Sequence, residues 1–405
     1  MMNQQIPTTH FRWLLAAPHR AMFFSGAMQL LLVMLPWAAE MFARLLGVAL
    51  PWAWPPGWWH AMLAVYGIFP FFVFGFLLTA MPRWQGYGDL PASACQRPWY
   101  LLLAGWCVIY LSMVLPSLRL LGVALVFVGW AWLVVMLAPI AFRAGSGRLH
   151  AVPAWGATVV GLIGWGLWGL FAATGDGIWA RAAIELGVWC FLLPVFFTVS
   201  HRMIPFFSSA VLPDYEAFRP PWALFMMLGA ALGHGALALL DGAAMTWVID
   251  LPAAALAIFL TIRWGLVRSF AVQLLAMLHL GFMWLGIALA LFGVQSLAAW
   301  QGVAVLGLAP LHALVIGMFT VVAMSMVSRV TLGHSGQALS ADAMTWRLCW
   351  AVQGVAVLRI AAELWSSAHG VLLMLTVMGW LVVFGLWARR YVPIYLRPRV
   401  DGKAG

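Results

Sequence analysis

The sequence predicts an all-α, polytopic membrane protein with about twelve transmembrane helices in one bundle. Three observations predict it. Hydrophobic residues fill 65% of the 405 positions and charged residues only 8%, and the mean hydropathy is +0.98. A soluble domain carries roughly 25% charged residues, so this chain cannot coat a water-facing surface. Apolar runs recur at the lengths needed to cross about 30 Å of hydrocarbon at ~1.5 Å per residue. The short alternating segments of a membrane β-barrel do not occur.

The spans read, in order, 20–42, 58–80, 99–116, 119–141, 154–173, 180–200, 221–240, 244–262, 271–294, 302–327, 345–365 and 369–388. Each is an apolar run of spanning length. Basic residues mark one side of the series: Arg12 and Arg20, Arg83 and Arg97, Arg143 and Arg148, Arg202 and Arg219, Arg263 and Arg268, Arg329 and Arg347, then Arg389, Arg390, Arg397, Arg399 and Lys403. The opposite side has Arg44, Arg119 and Arg181, with Arg359 near a helix end. Every second loop is basic, which predicts cytoplasmic termini in a bacterial-type inner membrane.

The net charge of +10 is therefore a topology signal, and it excludes nothing but a nucleic-acid reading. Residues 1–405 form a single integral membrane domain by this reading, since no linker could separate a soluble one. Residues 1–19 read as a short cytoplasmic lead without signal-peptide character, and 389–405 as a tail. Cys95, Cys107, Cys190 and Cys349 form no pair motif, and Cys95 falls in a cytoplasmic loop.

A weak period divides the spans into three sets of four. Arg83, Arg202 and Arg329 end the second, sixth and tenth, in "TAMPRW", "VSHRMI" and "MVSRVT". Tyr66, Glu185 and His312 each stand seventeen residues earlier, which places three polar groups at comparable depth. Loop arginines recur in any protein obeying the positive-inside rule, so the period alone does not separate triplication from topology.

Ionisable groups in hydrocarbon are costly unless paired or ligating. His60 opens the second span in "GWWHAM", His279 lies in "LLAMLHLGFMW" and His312 in "LHALVIGM"; His234 and His369 lie near interfaces. A lone membrane histidine is satisfied by a neighbouring carbonyl or hydroxyl. Several in one chain point toward a cofactor, because imidazole ligates haem iron and copper between facing helices. His279 and Met283 are four apart and share a helix face, a pairing that suits either metal, although methionine at such a position also simply packs. Arg359 and Glu363, also four apart, read as an intrahelical ion pair or as a partner for a haem propionate.

Two loops, "SHRMIPFF" (200–207) with His201 and Arg202 and "SRVTLGHSG" (328–336) with Arg329 and His334, are rigid enough to line a site and equally serve as interfacial caps. Walker, zincin and nucleophile-elbow motifs are missing. So is any His-His or His-x-His pair, which sets aside haem–copper oxidases and nitric oxide reductases.

Taken together, "PHRAMFF", "WHAM…GFLLTAMPRWQG", "HRMIPFF" and "HALVIGM…SRVTLGHSG", in that order from about Pro18 to Leu339, resemble the NnrS family. These are membrane proteins associated with nitric oxide metabolism, with haem and copper as cofactors. The resemblance implies His60, His279 and His312 as haem or metal ligands; Arg359 on the haem and Met283 on the metal rest on the spacings above. It carries over Arg83, His201, Arg202, Arg329 and His334 as motif residues without assigned roles. The family's His-Ala-His-Glu-Met is His60-Ala61-Met62-Leu63-Ala64 here. The second imidazole and the carboxylate are gone from any copper site there, and Met62 is the one soft substitute.

The implied function is a haem or haem–copper protein of the nitrosative-stress response that meets nitric oxide within the lipid bilayer. A twelve-helix secondary transporter and a metalloenzyme assembly factor are the alternatives. No flavin or cytochrome c motif shows an electron entry route.

Overall fold

Backbone groups in hydrocarbon must bond within the chain, so long apolar runs fold as helices. A computed structural model of the chain describes residues 10–401. Residues 1–9 of the expected lead, and Lys403, lie outside the described residues. The long helical segments are α1 (Pro18–Leu45), α2 (Pro56–Trp84), α3 (Ala92–Ser112), α4 (Pro116–Ala141), α5 (Arg148–Thr174), α6 (Gly177–Val211), α7 (Pro221–Leu239), α8 (Trp247–Arg263), α9 (Gln273–Trp300), α10 (Ala309–His334), α11 (Ala343–Leu364) and α12 (Ser366–Tyr395). Among the described residues nine of these are long and apolar enough to cross a membrane.

The other three differ for identifiable reasons. α8 has 17 residues, about 26 Å of helix, and α3 and α11 carry Arg97, Arg347, Arg359 and Glu363. Each of the three packs along its successor or predecessor: α3 on α4, α8 on α9 and α11 on α12. The result is a multi-pass helical bundle around one hydrophobic core that runs from Leu14 to Tyr395.

Several boundaries move. α3 begins at Ala92, so Cys95 is a buried helical residue and not a loop thiol. α10 begins at Ala309 instead of about 302, because Gly302, Leu306 and Gly307 take positive φ angles of 80°, 67° and 45° and turn the chain there. α12 continues to Tyr395, which takes Arg389 and Arg390 out of the tail. "SHRMIPFF" and all but the end of "SRVTLGHSG" are not loops: α6 and α10 run straight through them to Val211 and His334.

The three-by-four period is real. α2, α6 and α10 each contain a π-helical stretch, Leu63–Ile68, Leu186–Leu192 and Ala313–Thr320. These stretches lie beside or around Tyr66, Glu185 and His312. Loop charge does not dictate a widened turn inside a helix, so topology alone cannot account for the recurrence. α4 packs on α5, α8 on α9 and α12 on α1, and the three sets thereby close into a ring.

α2, α6 and α10 lie within it and, like α9, are mostly buried, whereas α4, α7 and α12 are less than half buried. Their Phe69, Phe196 and Phe319 rings meet one another, with centroids 5.7, 5.9 and 4.9 Å apart.

Small residues allow this convergence, as lipid-embedded helices require. A Cβ at Gly26 would lie 2.6 Å from the Phe72 ring, and one at Gly75 would lie 2.6 Å from Phe23, so α1 and α2 interlock reciprocally. At Gly281 of α9 a Cβ would meet the Val322 backbone nitrogen of α10 at 2.9 Å. Backbone cannot step aside as a side-chain tip can. Gly281→Leu is therefore expected to destabilise the bundle by about 1–3 kcal/mol, the range for overpacking. Gly229→Leu, on the open side of α7, should leave it unchanged. Thermal unfolding in detergent compares the two.

Candidate functional site

The termini share one end of the bundle, where the Arg20 Nη1 donates to the Arg397 carbonyl at 2.8 Å. At the opposite end a chamber of about 470 Å³ opens between α1, α2, α6, α10, α11 and α12. Three imidazoles line it. His60, in the first turns of α2, stacks on Trp37 of α1 with centroids 4.1 Å apart and planes 20° off parallel. Its Nδ1 is buried without a partner. His312 leads into the π stretch of α10 and donates from Nδ1 to the Leu308 carbonyl at 2.9 Å. His369 begins the α-helical part of α12 and donates likewise to the Ala362 carbonyl at 2.7 Å. A carbonyl only accepts, so in both rings Nδ1 holds the proton. In their neutral forms both keep a bare Nε2, the arrangement in which a second partner fixes an imidazole for ligation.

The charged groups of the chamber are held just as firmly. Arg359 and Glu363 form an ion pair on α11 at 2.6 Å, with both side chains largely buried. A second guanidinium nitrogen of Arg359, Nη1, is buried without a partner. Arg44 binds Glu40 at 2.6 Å, and Glu40 also accepts from the Trp52 indole at 2.7 Å. Met34 and Met41 of α1 complete a soft, apolar wall.

A second cavity of about 760 Å³ shares Ile184, Val188, Leu308, Leu311 and Glu363 with the first. Its His234 stacks on Trp189 and meets Asp250 at 2.7 Å.

The terminal end holds the other polar motif residues, and most of them make contacts between helices. Arg202 lies over the Trp84 ring of α2 at 4.9 Å, and Arg329 over Phe207 of α6 at 4.0 Å. His334 packs on His19 of α1 with ring centroids 4.5 Å apart. Arg83 bonds Asp89 at 3.1 Å, and that bond holds the Asp89 carboxyl below the usual carboxylate range. His201 contacts the Pro220 carbonyl through Nε2 at 3.2 Å and His150 through Nδ1 at 3.0 Å. By the same rule His201 Nε2 is the donor, so His150 Nε2–H donates to its Nδ1.

The sequence model of the family described as NnrS protein matches residues 13–399. The chain belongs to the NnrS family. Membership ties it, at the level of the family, to the nitric oxide response. No curated protein matches the chain.

For this NnrS-family chain the structure sorts the expected ligands into two groups. His60, His312 and Arg359 come together in the chamber. His279 and Met283 do not: His279 lies in the second turn of α9 at the terminal end, bonded to Ser208 at 3.1 Å. Helix direction places it there, since odd-numbered helices start where even-numbered ones finish. Met62, the substitute in the altered second-helix motif, is buried and not part of the chamber wall.

His369, Met34, Met41, Trp37 and Arg44 do line it, and sequence reasoning passed them over. Met34 and Met41, seven residues apart on one helical face, were the available signal. Among the described residues no three His, Cys, Asp or Glu side chains come close enough to hold an ion by themselves. The chamber thus offers separate donors around a space, at a size within the ~300–1,000 Å³ of cofactor sites.

Breaking a buried ion pair on one side leaves an unpaired charge. Glu363→Ala is expected to cost about 3–5 kcal/mol, while the double replacement Arg359→Met with Glu363→Leu should stay near the parent protein. Denaturation of the three variants in detergent measures this directly.

Proposed function

We propose that the chamber binds a haem, or a haem together with copper, and presents it to nitric oxide in an inner membrane with both termini cytoplasmic. The observation that carries this reading is the donor set around one space: His60, His312 and His369, two of them with Nε2 left bare, beside the unpartnered Arg359 Nη1.

The chain's groups fit such a cofactor. A bare Nε2 from α10 or α12 would hold haem iron. Arg359 Nη1 would satisfy a propionate, which accepts strong charge-assisted hydrogen bonds. Trp37 and the apolar wall would cover the ring. The Met34 and Met41 thioethers are the soft donors that copper(I) would take beside an imidazole. When bound, haem iron supplies the position at which nitric oxide coordinates. The protein's part is to orient the imidazoles through Leu308 and Ala362, to keep Arg359 aligned through Glu363, and to exclude water with aromatic and aliphatic side chains.

The basic residues on the terminal end support the orientation by the positive-inside rule.

Protein purified in mild detergent is expected to show a Soret band that shifts on exposure to nitric oxide. His312→Ala, His369→Ala and Arg359→Gln should each lower iron content, and His279→Ala should not. A colourless, folded protein without iron or copper overturns the proposal.

A further inference from the structure

A small cavity of about 40 Å³ lies between α2, α6 and α10, with Phe23 of α1 as a further wall. Its walls include Phe72, Val73, Val199, Ala323 and Met326, and every lining side chain is apolar. One further wall is Phe196, which packs edge-on against Phe69 at 5.7 Å. Phe69 in turn lines the histidine chamber. The cavity and the chamber are thus separated by the aromatic cluster at the ring's centre.

The space exceeds the roughly 10–15 Å³ that admits a water, but a buried water needs about 2–4 polar partners. The side chains offer none, and the surrounding backbone groups are engaged within helices. Cavities of this kind stay dry and take up apolar ligands such as xenon. The space would hold a diatomic molecule, and charged or strongly hydrated species would lose their solvation on entering.

We propose that this cavity is a docking site for a small uncharged gas, and that Phe69, Phe196 and Phe319 are the gate between it and the chamber. The π stretches of α2 and α6 end at Ile68 and Leu192, just before the gate, and that of α10 includes Phe319, so the three helices widen where the chamber begins. Naming nitric oxide as the natural gas rests on the function proposed above; the docking site itself does not.

Xenon is the probe. Crystals of the full chain pressurised with xenon are expected to show it between Val199 and Ala323. Ala323→Leu should abolish the signal, and Met326→Ala should strengthen it. An ordered water in the cavity, or no xenon in the parent protein, overturns the proposal, and so does xenon retained in a folded Ala323→Leu variant. If that variant fails to fold, Val199→Leu fills the same space from α6.

For the gate, cofactor-loaded Ala323→Leu with unchanged iron content should bind nitric oxide several-fold more slowly in stopped flow, and an unchanged rate removes the cavity from the route. A protein without iron defeats the cofactor reading alone, since xenon binding is read without it.

Discussion

Everything else in this bundle depends on how closely α2, α6 and α10 approach one another at its centre. Lipid gives no hydrophobic drive for helix association, so the contact must come from packing and satisfied polar groups. Phe69, Phe196 and Phe319 supply the central contact. Gly26, Gly75 and Gly281 let the neighbouring helices press against the inner three. Repeating one four-helix unit three times puts like surfaces around a single axis, and a ring closes without leaving an unmatched helix face between the first set and the last.

The same geometry explains where polar residues are tolerated. π stretches interrupt the inner helices near the end far from the termini, and such stretches often accompany functional sites. A widened turn loosens packing locally, and there the chamber and its neighbouring cavity open. Inside them four titratable side chains have a partner that fixes them: Leu308 for His312, Ala362 for His369, Glu363 for Arg359 and Asp250 for His234. The atoms left over, His60 Nδ1 and Arg359 Nη1, belong to the chamber's wall. At the terminal end Arg202, Arg329 and His334 instead contact side chains of neighbouring helices.

Much of this was legible in the chain. Composition and run length gave the helices and their order, because hydrocarbon thickness and backbone satisfaction leave few alternatives. Residues 200–207 and 328–336 were misread as loops. Their polarity is that of an interface, and nothing in polarity says whether a helix stops on reaching water or continues past it. His60 and His312 come together because both begin inward-running helices at the same end. His279 was grouped with them only by residue type; helix direction carries it to the opposite end. His369 was set aside as interfacial, yet the start of α12 is where the chamber wall lies.

By itself the sequence determined that this is a multi-pass helical membrane protein, and its family, since these follow from local composition and short motifs. Only the tertiary structure decided that the three sets of four form a closed ring, which histidines share a space, and which nitrogens in that space are free. Those are properties of helices far apart in the chain, set by which faces meet, and no single segment encodes them.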